Sequence, residues 1–158
     1  MNAAEFAGIR RRCGFDLAWM GRWMKLPGEL LQAIESDWQS IPDGLCARPK
    51  KLDADMDHLA FETADAYIAS QIHADGPMWL VEFDADADFW VCEPQLKPYP
   101  ASFYAALVSR MEQRILTRNL AVVRTVLNLG AYKAWLQKIG LPDSNMSRIA
   151  WAKAQVSP

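Results

Sequence analysis

The chain is poor in the residues from which cross-links, metal sites and catalytic centres are made. Its 158 residues include three cysteines and two histidines. Cys13, Cys46 and Cys92 are odd in number, widely spaced and without a CxxC pair, which argues against a disulfide framework or a zinc knuckle and for buried free thiols. His58 and His73 fit no HExxH spacing, and GxSxG, GxGxxG and GxxxxGK[ST] are all missing. No enzyme activity, metal or cofactor is therefore expected. Asp84-Ala-Asp86-Ala-Asp88 starts like a calcium loop, but such a loop needs Gly at its sixth and Glu at its twelfth position, where Phe89 and Gln95 stand. Asp53-Ala-Asp55-Met-Asp57 fails likewise, with His58 and Ala64 there, so both runs read as solvated acids of turns and helix starts. No apolar run reaches the roughly 20 residues of a spanning helix, and no basic region leads into an apolar one at the N-terminus. A soluble, cytoplasmic protein is expected. A formal charge of -2 also argues against non-specific coating of nucleic acid, and neither half is a basic arm.

What is present is half apolar, enough for a real core. Asn2 and Glu5 resemble a capping box for a first helix that ends near Cys13-Gly14, and Asp16 caps a second over residues 17–24. Lys25-Leu26-Pro27 breaks the chain before a third helix carrying Leu30, Leu31, Ile34 and Trp38. Residues 50–71 step through Leu52, Met56, Leu59, Thr63, Ala66 and Ser70, a narrow seam along one long helix. After Asp75-Gly76-Pro77, Met78–Phe83 is the best strand, a short helix spans 87–92 and a long one starts near Ser102. Residues 120–127 form a second strand. Strand, helices, strand is the order of a parallel crossover, and two further helices, 131–139 and 145–154, close the chain. Two strands make a poor sheet, so the pair is expected to be covered by helices or to meet a second subunit at its edge.

Three short helices with a break between the second and third match the helix-turn-helix arrangement. Ala4-Glu5-Phe6, Gly14-Phe15-Asp16, Ile34-Glu35-Ser36 and Ile41-Pro42-Asp43 resemble the Cro/cI-type, or XRE, regulators. The likeness is closest to the small YdiL-like branch that includes anti-CRISPR-associated repressors. It covers about the first 45 residues. A weaker likeness runs through Tyr132–Leu136, Leu141-Pro142-Asp143 and Trp151 to the dimerisation portion of the same branch. In that branch the third helix ends in Trp-Glu-Ser-Gly, whereas this chain has Ile34 for the tryptophan and Asp37 for the glycine.

The order of elements predicts an α+β, mainly α fold, with a long helix closing a first domain over residues 1–74 and a small two-stranded α/β dimerisation or sensor portion over 75–158, and the resemblance makes the first a helix-turn-helix domain. It implies a homodimeric transcriptional regulator on a palindromic operator in double-stranded DNA, with recognition helices about 34 Å apart. The DNA-facing positions would be Arg10, Arg12, Leu17, Arg22, Lys25, Gly28, Glu29, Gln32 and Gln39. Of these Gln32 is the best base reader, through a bidentate contact with adenine. Glu29 is acidic, and Leu17 stands where a polar phosphate-gripping residue is usual. Trp79, Val81, Trp135 and Trp151 are the dimer-contact candidates, while Trp19, Trp23 and Trp38 are expected in the core. The alternative is a helix-turn-helix scaffold whose reading surface has decayed into a protein-interaction module or phage accessory factor.

Overall fold

The computed structural model describes residues 1–42, 44–71 and 76–156. The fold is mainly helical with one small two-stranded parallel sheet. Contacts divide it into Met1–Leu59 and Ala60–Pro158. That division falls inside a helix, and the junction expected between residues 74 and 75 lies outside the described residues.

In the N-terminal unit, α1 (Ala3–Arg12), α2 (Leu17–Met24) and α3 (Gly28–Glu35) start and stop on local chemistry. The Asn2 side chain accepts from Glu5 N–H at 2.8 Å, and that of Asp16 from Trp19 N–H at 2.5 Å, each satisfying an amide that the helix cannot. All three helices end on one device, a Schellman turn. Phe15 N–H reaches the Arg10 carbonyl, Leu26 N–H that of Gly21, and Trp38 N–H that of Ala33. The residue before each, Gly14, Lys25 and Asp37, has φ of 74°, 60° and 59°. Only Gly14 takes that left-handed conformation without a Cβ penalty.

Phe6, Ile9, Met20, Met24, Leu31 and Ile34 supply buried faces of these helices. The turn between α2 and α3 is tight enough to need a glycine before it. A Cβ on Gly21 would lie 2.9 Å from the Leu26 carbonyl oxygen and 3.4 Å from the Leu31 side chain. α4 (Ala47–Ser70) carries Pro49 in its first turn, where a missing N–H costs nothing. Its buried line departs from the expected seam. Burial runs through Met56, Ala60 and Ala64, whereas Leu59, Thr63, Ala66 and Ser70 are exposed. The small alanines give a weak hydropathy signal, so the larger Leu59 misleads the periodicity.

In the C-terminal unit, β1 (Met78–Glu82) and β2 (Val122–Val126) pair in parallel, from Met78↔Val122 to Glu82↔Val126. α5 (Asp86–Cys92), a 3-10 turn at Pro94–Leu96 and α6 (Ala101–Leu116) connect them, and α7 (Leu129–Ile139) and α8 (Asn145–Val156) follow. Each strand is shorter than its sequence run. β1 alternates between two apolar clusters, as a parallel strand covered on both faces must. Met78 and Leu80 pack with Ala64, Val108 and Ile115, while Trp79, Val81 and Phe83 pack with Phe89, Tyr132, Ile149 and Trp151.

The ladder also fixes where the backbone groups point. Met78 N–H donates to Ala121 and Leu127 N–H to Glu82, so Met78, Leu80 and Glu82 serve β2 and Trp79 turns its groups away. There Tyr67 of α4 stands in for a third strand: its hydroxyl accepts from Trp79 N–H at 3.2 Å and donates to the Trp79 carbonyl at 3.1 Å.

A polar cross-link joins the later helices. Arg148, its side chain almost wholly buried, donates to Asp143, to Glu93 and to the Cys92 carbonyl, and Tyr132 donates to Asp143 at 2.7 Å. The guanidinium holds the Asp143 carboxyl below its usual range, while burial and Asp143 push the Tyr132 phenol up to about 12. No described helix is long and apolar enough to cross a membrane.

Candidate nucleic-acid interface

The outward surface of α3 follows from its own sequence. With Leu31 and Ile34 turned inward, Gly28, Glu29, Gln32 and Ser36 are exposed on the opposite side. Pro27 precedes the helix and offers no capping side chain, so the first amides of α3 lack the side-chain acceptor that Asp16 gives α2. A Cβ on Gly28 would meet nothing within 4 Å, which leaves the start of α3 open to close approach of another backbone. Glu29, Gln32, Ala33, Ser36 and Trp38 border a shallow depression of about 310 Å3.

The candidate cations divide into engaged and outward ones. Arg10 does not face solvent. Its guanidinium makes a two-pronged bond to Glu35, at 2.5 and 2.9 Å, and a third to the Phe15 carbonyl, with both side chains 12% exposed. That fork ties the end of α1 to the end of α3 and removes Arg10 from the set able to grip phosphate. Arg12 is exposed but paired with Asp53 at 2.5 Å, and Arg48 lies 4.6 Å over the Trp23 ring. Arg22 and Lys25 are exposed beside the turn into α3, Gln39 is exposed beyond its end, and Leu17 is half-buried at the first position of α2. Sequence position thus gathers Arg22, Lys25, Gly28, Glu29 and Gln32 around one turn, and separates Arg10 from them.

Trp38 corrects the expectation of a core tryptophan. It is 88% exposed, because α3 ends at Glu35 and the left-handed Asp37 turns the chain outward. Trp19 is buried as expected, stacked 3.7 Å from Phe15, and Trp23 is half-buried beneath Arg48. Apolar spacing alone carries no signal for this exposure, which depends on the left-handed turn at Asp37.

The expected dimer contacts also need correction. Trp79, Val81 and Trp151 are 8%, 5% and 4% exposed, inside the core of the C-terminal unit, so they have almost no surface to give a second copy. Trp135, half-buried, packs against the same core. The tryptophan cluster is an intrachain core because helices cover both faces of β1.

The acidic runs behave as solvated and capping acids. Asp86 accepts from Ala101 N–H at 2.7 Å, Asp53 pairs with Arg12 and Asp55 with Lys51. Among the described residues no group of three His, Cys, Asp or Glu side chains could hold a metal. Cys13 and Cys92 are buried and Cys46 is half-buried, and none of the three forms a disulfide. No protein-family model and no curated protein matches the chain.

Proposed function

We infer that the protein is a DNA-binding transcriptional regulator, acting as a homodimer on a palindromic operator in the cytoplasm, with α3 as its reading helix. The observation that carries this reading is the three-helix unit itself: α2 and α3 joined through Lys25-Leu26-Pro27, with Gln32 on the exposed side of the second. Gln32 would read adenine, while Arg22, Lys25 and the uncapped amides at the start of α3 would hold phosphates. The resemblance of the first 45 residues to XRE regulators supports the same assignment, with no cofactor involved.

The second reading, a helix-turn-helix scaffold that binds protein, is favoured by one observation. The depression beside Gln32 is bounded by Glu29 and the exposed Trp38, with no cation among its lining residues. Fluorescence anisotropy with duplexes from the DNA flanking its own gene, at two salt concentrations, separates the two. A regulator binds one duplex preferentially and more weakly at high salt. Gln32→Ala then abolishes the preference, whereas Arg22→Ala weakens all duplexes alike. Failure of every duplex at low salt overturns DNA recognition and leaves the protein-binding scaffold.

A further inference from the structure

We propose that the chain pairs with a second copy of itself along the outer edge of β2, the two strands running antiparallel about a twofold axis at Arg124. The inference rests on the reading above only for the existence of a homodimer, and it supplies the contact surface that Trp79, Val81 and Trp151 cannot.

Because Ala121 and Leu127 bond β1, the alternation along β2 sends the N–H and C=O groups of Val122, Arg124 and Val126 to the side away from β1. No described residue bonds those outward groups. The opposite margin of the sheet differs, since the Tyr67 hydroxyl occupies Trp79 there. Of the usual edge protections β2 carries one charge, Arg124, which is paired within its own copy: Val-Val-Arg-Thr-Val contains no proline and no lysine, and its pairing with β1 is regular. Val126 is 42% exposed although it sits in a strand.

The strand is its own complement. Turned end for end about Arg124, Val122 meets the partner's Val126 and Val123 meets the partner's Thr125, so β-branched residues oppose one another at both flanking positions. Val122, Arg124 and Val126 are then the residues that exchange both backbone bonds. The axis would bring two arginines together, and like charges directly opposed normally destabilise a sheet. Here each arginine arrives neutralised within its own copy. Arg124 donates to Glu82 at 2.5 Å and to Glu112 and the Ser109 hydroxyl at 3.2 Å each. Two undersized sheets become one of four strands.

The test is the mass of the full chain by light scattering across the micromolar range, without DNA, together with amide exchange of Val122, Arg124 and Val126. Wild type is expected at twice 17.8 kDa with those amides protected. Val126→Pro removes an N–H that has no role within the protomer, and Val126→Lys places a charge on an already exposed side chain. Both are expected at 17.8 kDa with unchanged far-ultraviolet circular dichroism, while Leu141→Lys, at an exposed loop position, stays dimeric. If the proline variant loses its circular dichroism, the lysine variant and the wild-type exchange rates decide. A monomeric wild type, unprotected amides in a dimer, or a folded lysine variant that stays dimeric overturns the proposal. DNA binding is scored separately: a dimer that binds no duplex overturns only the regulator, and a monomer that binds DNA overturns this interface and the homodimer it rests on while leaving α3 as the reading helix.

Discussion

Lys25 and Asp37 carry side chains where the backbone asks for none. An L-residue in the left-handed region costs about 1–2 kcal/mol, less for Asp, whose short polar side chain is tolerated there, and glycine returns part of that gain through the unfolded chain. Lys25→Gly should therefore stabilise by about 1 kcal/mol and Asp37→Gly by about half as much, read as midpoints of urea unfolding; equal or reversed gains would contradict the strain argument. Arg10 makes the opposite case. Arg10→Ala strands Glu35 and the Phe15 carbonyl in a mostly enclosed site, at a cost of about 2–3 kcal/mol, and Arg10→Met combined with Glu35→Leu should recover most of it. A double variant as unstable as Arg10→Ala would show that the loss lies elsewhere.

At the level of elements, two side chains substitute for missing structure. Tyr67 completes the margin of β1, so Tyr67→Phe orphans both backbone groups of Trp79; a loss of about 2 kcal/mol and faster exchange of the Trp79 amide are expected. Gly21 lets the α2–α3 turn close. Gly21→Ala should lose about 1–2 kcal/mol despite the better helix propensity of alanine, because backbone must shift to admit the methyl group.

These elements were unequally legible in the sequence. Caps such as Asn2 and Asp16, the break at Pro27 and the strand–helices–strand order are local signals, and each was readable. The seam of α4 and the position of Trp38 were not: the first follows small alanines rather than Leu59, and the second depends on α3 ending at Glu35 and the backbone turning at Asp37. The same holds for the candidate site: Gln32, Arg22 and Lys25 lie outward as the helical spacing implies, but the partner that withdraws Arg10 is Glu35, on another helix.

For the whole molecule, the charges of the N-terminal unit limit how DNA binding would depend on salt. Apart from Arg48, which is held over the Trp23 ring and bonded to the Trp23 carbonyl, Arg11, Arg22 and Lys25 are its exposed arginines and lysines outside the ion pairs of the described residues. Three phosphate contacts per copy give a dimer a slope of log K against log salt of about -5, and a slope twice as steep would require a basic surface that these side chains do not form. Titration bears on the C-terminal unit. Burial pushes the Tyr104 phenol up to about 12, and Tyr132 reaches a similar value. A raised folded value means stability that is complete below the unfolded value, about 10, and lost as pH rises through about 12. Phenolate absorbance from these two tyrosines should accordingly appear only with loss of circular dichroism; earlier, non-cooperative ionisation would show the rings to be open to water. Asp143 acts at the other extreme: its lowered value gives stability present above the ordinary carboxylate range and lost as pH falls through the folded value. The pairing of β1 with β2 also has a consequence in time. α5 and α6 must be synthesised between the two strands, so at roughly 5–20 residues per second the nascent β1 waits some seconds for its partner, with an aggregation-prone edge on each side. Tyr67 leaves the ribosome before the strand that it covers, so one of those edges can be closed while the other is still waiting.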